Sequence, residues 1–282
     1  MLGQRVLTAL VLLAILVAAL LAPSPWPLLL LFVLLAGCAL WEWLRLTLAP
    51  AASVLALPAA VLFALVLLAM IPAWVAGGGA LPTVVERLKA LMLPLAAAGW
   101  LIGVPVALWR ARVQARRHVL VLSLAGLVAV TALWLSLAQL FLAHGAWFLV
   151  SMMALIWFAD SVAYFAGRAW GRRRLAPAIS PGKTLEGAIA GVLGATLWMA
   201  VTAGSDTSFA AALVQRWGWP GMLALSVLLA VMSIAGDLFE SLLKRRAGSK
   251  DSSRLLPGHG GVLDRIDALL PVAPLALLLT QS

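Results

Sequence analysis

Charge is what this chain of 282 residues has least of. Twenty Lys and Arg and ten Asp and Glu make up 11% of it, and they are spread unevenly. No charged side chain occurs between Arg5 and Glu42, between Arg45 and Glu86, or between His118 and Asp160. A helix needs about 20 mostly apolar residues to cross a hydrocarbon core, so uncharged runs longer than about 18 are candidate spans. A soluble protein with long core helices would need polar helix faces, and the windows 6–22 and 51–74 have none. Cysteine is nearly absent too. Cys38 is alone, which excludes an internal disulfide and a Cys-based zinc site and leaves a small buried hydrophobe. The features of a cleaved leader are also missing. Only Arg5 precedes the first apolar run, a second run follows at once, and no soluble domain comes after, so the first run is expected to remain as a helix. With no soluble fold to carry a basic face, the net charge of +10 points away from nucleic acid. It points to cytoplasmic loops and an anionic lipid surface instead.

What fills the chain is apolar: 64% of residues, with a mean hydropathy of +1.08. The expected fold class is therefore all-α, a polytopic integral membrane protein with about nine transmembrane helices and a polar cavity facing the cytoplasm. The spans read as 6–22, 26–44, 51–75, 91–109, 119–143, 147–165, 185–201, 221–235 and 266–279. The Gly77-Gly78-Gly79 run and the segment 86–89 are expected to form a connection, and 168–183 a basic loop. With the N-terminus in the cytoplasm, seventeen of the twenty basic residues fall on that side. Only Arg87, Lys89 and Arg216 fall opposite. Such a lopsided count selects this orientation and places the C-terminus outside. Many of the thirteen tryptophans lie near span ends, as an interfacial belt requires. Residues 1–145 form an N-terminal set of helices, a candidate scaffold or dimer contact, and residues 146–282 a C-terminal catalytic part.

The exception to this apolar pattern is the segment 233–267. It holds five of the ten acidic residues and six of the twenty basic ones. Ser233, Asp237, Glu240, Ser241 and Lys244 recur at spacings of three and four, so on a helix they share one face. Asp264 and Asp267 are three apart at the start of the last span. Two helices bearing carboxylates at the membrane boundary can converge on a divalent cation. Mg²⁺ is a hard ion that takes oxygen ligands and usually contacts substrate phosphates. Between the carboxylates lie Lys244, Arg245, Arg246, Lys250 and the run Pro257-Gly258-His259-Gly260-Gly261. Bases supply charge and donors to phosphate oxygens, and glycines let backbone approach a ligand. Metal, bases and a glycine loop are what phosphoryl or nucleotidyl transfer requires, without naming the nucleotide.

Two further segments reach the same side. Ser180-Pro181-Gly182-Lys183-Thr184 ends like a phosphate-binding GKT, but Pro177 stands where the first glycine of that motif belongs. The expectation is a turn, then a Ser or Thr cap, with Lys183 within reach of a phosphate. Asp160 sits inside an otherwise apolar span, where an acid is costly to bury without a partner. It can bind metal or hold a base from another helix. His259 can orient a phosphate or bond to its own glycine loop.

The unbroken pattern SLLKRRAGSKDSSRLLPGHGGVLDRID over 241–267 resembles the phosphatidate cytidylyltransferases (CDP-diacylglycerol synthases). The preceding GDLFE, WFADSVAYFAGR and SPGKTLEG are similar to the same family, and the likeness is strongest over 157–270. The resemblance implies an enzyme that condenses CTP with phosphatidic acid to give CDP-diacylglycerol and pyrophosphate. It implies dependence on Mg²⁺, a second, monovalent-cation position such as K⁺, and a homodimer in the inner membrane. Asp237 and Asp264 match the family's paired metal-binding aspartates, with Asp160, Glu240 and Asp267 as further metal candidates. Lys183, Lys250 and Ser233 match positions that line the polar cavity. Asp237, Asp264, Lys183 and Lys250 are the catalytic candidates, and Ser233, Lys244, Arg245, Asp251, His259 and Arg265 the substrate-binding ones. Gly182 and Arg254 depart from the Lys and Asn found in many members, which bears on selectivity more than on activity. Two other classes share parts of this composition. A carrier of phosphorylated solutes lacks the internal repeats expected of it. Another metal-dependent phospholipid transferase of the CDP-alcohol type would need an aspartate motif that is missing here.

Overall fold

The computed structural model describes residues 2–76, 81–111, 113 and 118–281. The chain runs through α1 (Leu2–Leu21), α2 (Trp26–Thr47), a 3₁₀ turn (Pro50–Leu55) leading into α3 (Ala56–Ala76), and α4 (Leu81–Ala98). A π-helical turn (Gly99–Gly103) joins α4 to α5 (Val104–Arg110). Then follow α6 (Val119–Trp170), a hairpin of β1 (Arg174–Ala176) and β2 (Ser180–Thr184), α7 (Leu185–Thr202), α8 (Phe209–Arg246), the short α9 (Leu263–Ile266) and α10 (Leu269–Thr280). Six helical runs among the described residues are long and apolar enough to cross a membrane, and the shorter apolar helices Val6–Leu21 and Leu269–Thr280 accompany them. The protein is a polytopic helical membrane protein.

Six is fewer than the nine spans expected, and the difference has three sources. Among the described residues the apolar stretches Val6–Leu21 and Leu269–Thr280 are shorter than 18 residues, and the fifth and sixth expected spans form one helical run, α6. A straight helix of 52 residues would be about 78 Å long, more than twice the thickness of a hydrocarbon core. It is broken at Gly145, whose φ of 85° and ψ of −176° lie outside the helical region and are open chiefly to glycine. Gly218 interrupts α8 in the same way, just ahead of Pro220.

Other boundaries moved for local reasons. Glu86 and Lys89, expected in a connection, lie within α4 and pair with each other at 2.8 Å, one turn apart on its surface. Gly77, Gly78 and Gly79 lie outside the described residues. The expected basic loop is largely structured. α6 continues to Trp170, and β1 and β2 then pair antiparallel, with Arg174 opposite Thr184 and Ala176 opposite Ser180. This hairpin is the departure from an all-α chain. Glu186 holds it by accepting the Arg172 amide at 3.0 Å and the Arg173 amide at 3.2 Å. Thr184 caps α7 as expected, accepting the Gly187 amide at 3.1 Å.

The eighth span was drawn to end at residue 235, but α8 continues to Arg246, and its last turn carries Lys244, Arg245 and Arg246 against the negative end of the helix dipole. α7 packs between α6 and α8. α10 lies against α6 and α8, and α2 against α3 and α6. Lipid is the solvent for the outer faces, so Leu193, Leu197 and Val201 on α7 stand exposed without penalty. α10, only 12 residues, is buried from Leu269 to Leu277, which is how so short a helix serves the interior of the bundle. Trp43, Trp134 and Phe209 are the largest fully buried side chains of the core.

Candidate active site

The helical spacing read in 233–267 becomes a wall. Asp237, Glu240, Ser241 and Lys244 line one cavity of about 590 Å³ from α8, and Asp160 and Trp157 line it from α6. Lys250 and Asp251 come from the loop after α8, and Asp264, Arg265 and Asp267 from α9 and the residue beyond it. Arg245 lines it too, as do the apolar Ile156, Ala268 and Leu269. Of the thirteen expected site residues, eleven come from 233–267 and two, Asp160 and Lys183, from earlier segments; all but Lys183, Ser233 and His259 meet here.

Opposite charges are paired at close range within this wall. Lys183 Nζ stands 2.6 Å from Asp237 Oδ2. Lys244 Nζ lies 2.5 Å from both Glu240 Oε2 and Asp264 Oδ1, so one ammonium bridges α8 and α9. Asp264 Oδ2 accepts the Gly261 amide at 2.8 Å and the Ser252 amide at 3.1 Å, and the Ser252 hydroxyl lies 2.8 Å away. Burial opposes ionisation of this carboxyl. The contacts from Glu240, Lys244 and the Gly261 amide outweigh burial and hold it below the usual carboxylate range. Ser241, one turn beyond Asp237, sets its hydroxyl 3.5 Å from Asp237 Oδ1.

A second cleft of about 470 Å³ adjoins the first and shares Asp160 and Asp237 with it. It opens between α6, α7 and α8, and small residues such as Ala163, Gly187, Ala188 and Gly191 form much of its wall. Lys183, Arg168 and Arg174 bring positive charge to it from the hairpin side. Lys183 therefore belongs to this second cleft and reaches the first through its ion pair with Asp237. Tyr164, Arg168 and Arg174 were not singled out as site residues by sequence. Their signal was present as a basic run beside an aromatic, but nothing in spacing alone turned them toward a cleft.

Two expected substrate contacts are placed elsewhere. Ser233 is buried within α8 and donates to the Ala230 carbonyl at 2.8 Å, lining neither cavity. His259 bonds into its own loop. Its amide donates to the Leu256 carbonyl, its carbonyl accepts Arg265 Nη2 at 2.8 Å, and its buried Nδ1 has no partner among the described residues.

Could this wall hold a divalent ion? Among the described residues no three His, Cys, Asp or Glu side chains converge as a ready-made metal cage. Mg²⁺ does not ask for one, since it is usually held by one or two carboxylates together with waters and substrate phosphates. The donors present are all hard oxygens, and Glu240 Oε1 is buried with no hydrogen-bond partner among the described residues. Chemistry of this kind fits Mg²⁺, and Asp237 and Asp264 each also carry a lysine, Lys183 and Lys244.

The sequence pattern of the cytidylyltransferase family matches residues 3–282. The chain belongs to that family. Among curated proteins it is 47% identical over 133 residues to the phosphatidate cytidylyltransferase of Haemophilus influenzae, covering 46% of this chain and 44% of that one. It is 48% identical over 130 residues to the Brucella melitensis protein of the same name, covering 46% and 45%. To that of Bacillus subtilis it is 39% identical over 131 residues, covering 46% of each. The chain thus spans under half the length of the curated relatives it matches.

Proposed function

We propose that the protein transfers the cytidylyl group of CTP to phosphatidic acid, giving CDP-diacylglycerol and pyrophosphate. The observation that carries this reading is the pair of adjoining cavities, one polar and one that sets small side chains of α6 and α7 beside a basic edge, which meet at Asp160 and Asp237. A water-soluble triphosphate and a lipid phosphate need such a meeting point, and the names of the relatives supply the two substrates.

In this reading CTP occupies the polar cavity. Lys244, Lys250 and Arg265 take up phosphate charge there, with Arg265 held in place by the His259 carbonyl. Phosphatidic acid enters laterally through the cleft between α6, α7 and α8, its acyl chains still in the leaflet. Its phosphate meets Lys183 beside Asp237. An oxygen of that phosphate attacks the α-phosphorus of CTP, a new P–O bond forms, and the bond to the β-phosphate bridging oxygen breaks. Pyrophosphate leaves with that electron pair. The attacking oxygen is already anionic, so no general base is required, and no covalent enzyme intermediate is needed. Asp237 and Asp264 would hold Mg²⁺, with Asp160, Glu240 and Asp267 nearby. When bound, the ion neutralises phosphate charge and makes the α-phosphorus more electrophilic. The protein then lies in the cytoplasmic membrane as a multi-pass homodimer. The basic-residue asymmetry supports placing its N-terminus and cavity on the cytoplasmic side.

The test is pyrophosphate release by purified protein in detergent, supplied with CTP, phosphatidic acid and Mg²⁺, each omitted in turn. All three are expected to be required. Release without phosphatidic acid would make the protein a hydrolase. No release, together with substrate flux in sealed vesicles, would make it a carrier.

A further inference from the structure

Glu42 belongs to α2, in the half of the chain farthest in sequence from the cavity, and it is completely buried. An acid inside an apolar helix has to be accounted for. Its two oxygens meet four donors, three from the loop between α8 and α9 and one from the first residue of α9. At Oε1 stand the Val262 amide at 3.0 Å and the Ser253 hydroxyl at 2.6 Å. At Oε2 stand the Leu263 amide at 2.7 Å and the Ser252 hydroxyl at 2.8 Å. The partners lie more than 200 residues away in sequence, so no local helix requirement explains the arrangement.

We propose that Glu42 is a positioning residue, which sets Asp264 at the cavity wall by fastening the loop that carries it. Ser252 is the link. Its hydroxyl lies 2.8 Å from both Glu42 Oε2 and Asp264 Oδ2, and its single proton serves one of the two at a time. With Oδ2 held by Ser252 and Gly261, Asp264 Oδ1 is left to face Lys244 and the cavity. The amides of Val262 and Leu263 tie Glu42 to the first turn of α9, directly ahead of Asp264. Gly261 shows how closely the pieces fit. A methyl group there would collide with Ser252 Oγ and the Glu42 carboxyl, so only a residue without a side chain allows the contact. Glu42→Gln turns one oxygen into a donor and leaves the amide and the hydroxyl on that side without an acceptor, which loosens the loop. Partners of a liganding carboxylate typically change metal affinity by about 10–100-fold when lost.

The role of Asp264 rests on the cytidylyltransfer reading, but the fastening of the loop does not, and the test separates the two. Glu42→Gln and Ser252→Ala are made in the full-length protein in detergent. For Glu42→Gln, the Mg²⁺ concentration giving half-maximal pyrophosphate release is expected to rise about tenfold, with KM for phosphatidic acid within about twofold of the parent. Without substrates, Mn²⁺ binding followed by electron paramagnetic resonance should weaken by a similar factor. Amide exchange should quicken in 250–263 while α6 and α7 keep their protection. Ser252→Ala keeps three of the four donors on Glu42 and should shift the same readings less. A folded Glu42→Gln protein with the parent's Mn²⁺ affinity and parental exchange in 250–263 would overturn the proposal. Should Glu42→Gln not fold, Ser252→Ala decides, and unchanged Mn²⁺ affinity there overturns it. A parent that binds Mn²⁺ but releases no pyrophosphate would sink the proposed reaction and leave the role of Glu42 to be judged by binding and exchange.

Discussion

The two cavities that meet at Asp160 and Asp237 differ in what their walls are made of. The larger is walled by six acids and four bases, from α6, α8, α9 and the residues that flank α9. In the smaller, glycine and alanine of α6 and α7 form the helix side of the wall, with Lys183, Arg168 and Arg174 on its hairpin side and Asp160 and Asp237 where it meets the larger. Charged walls suit a polyphosphate that needs its charge neutralised. Small side chains suit a headgroup drawn in from the leaflet, because they leave room between packed helices without adding polar groups to desolvate. A single apolar span cannot supply both. The chain separates them by helix: α7 contributes no acid to the polar cavity, and α9 contributes nothing to the cleft.

The largest effects should come from the carboxylates, and they should differ between the two. Asp237 lies on both walls and Asp264 on the polar one alone. Alanine at either position should lower turnover with Mg²⁺ by about 10²–10³-fold, with folding yield changed far less. Only Asp237→Ala should also raise KM for phosphatidic acid, since it releases Lys183 from its pair in the cleft. Steady-state kinetics with each substrate varied would check this. Full turnover in either variant would remove the metal role, and identical KM patterns would dissolve the distinction between the cavities.

Much of the polar wall was legible because a helix repeats. Asp237, Glu240, Ser241 and Lys244 at spacings of three and four had to share a face, and α8 presents them to one cavity. Thr184 was legible as a cap because a cap is a local event. The hairpin 174–184 was hidden by Arg174 and the two arginines before it, which read as loop when no partner strand is in view. The start of α4 was hidden by Glu86 and Lys89, which pair on its surface instead of ending it. Glu42 was invisible for a deeper reason. It is flanked by tryptophans, its one charged neighbour at helical spacing is Arg45, which does not bond to it, and its partners Ser252 and Ser253 lie across the bundle. Contacts between distant segments leave no mark in a single sequence, so a buried acid can be recognised as odd but not assigned a partner.

An intermediate effect would sharpen the contrast from the lipid side. Ala188 lines the cleft from α7 and not the polar cavity. Ala188→Phe should fill part of that space and raise KM for phosphatidic acid by about 5–20-fold, while KM for CTP stays within about twofold. Assays with short-chain and long-chain phosphatidic acid in mixed micelles would check it. A change confined to CTP would reverse the assignment of the two cavities.

The smallest effect is expected at a residue that resemblance placed in the cavity. Ser233 lies one helical turn before Asp237, and spacing alone puts the two on one face. The cavity, however, begins at Asp237 and extends toward the end of α8, and Ser241 takes the position beside the aspartate. The Ser233 hydroxyl is turned back onto its own helix, where it bonds to the Ala230 carbonyl. Removing such a bond together with its donor leaves the carbonyl still paired within the helix, and costs about 1 kcal/mol or less. Ser233→Ala should therefore keep both KM values and turnover within about twofold of the parent, whereas Ser241→Ala, next to Asp237, should not. Parallel kinetics of the two serine variants would decide it. A loss in Ser233→Ala as large as that in Ser241→Ala would mean that the polar cavity reaches one turn deeper into the membrane along α8.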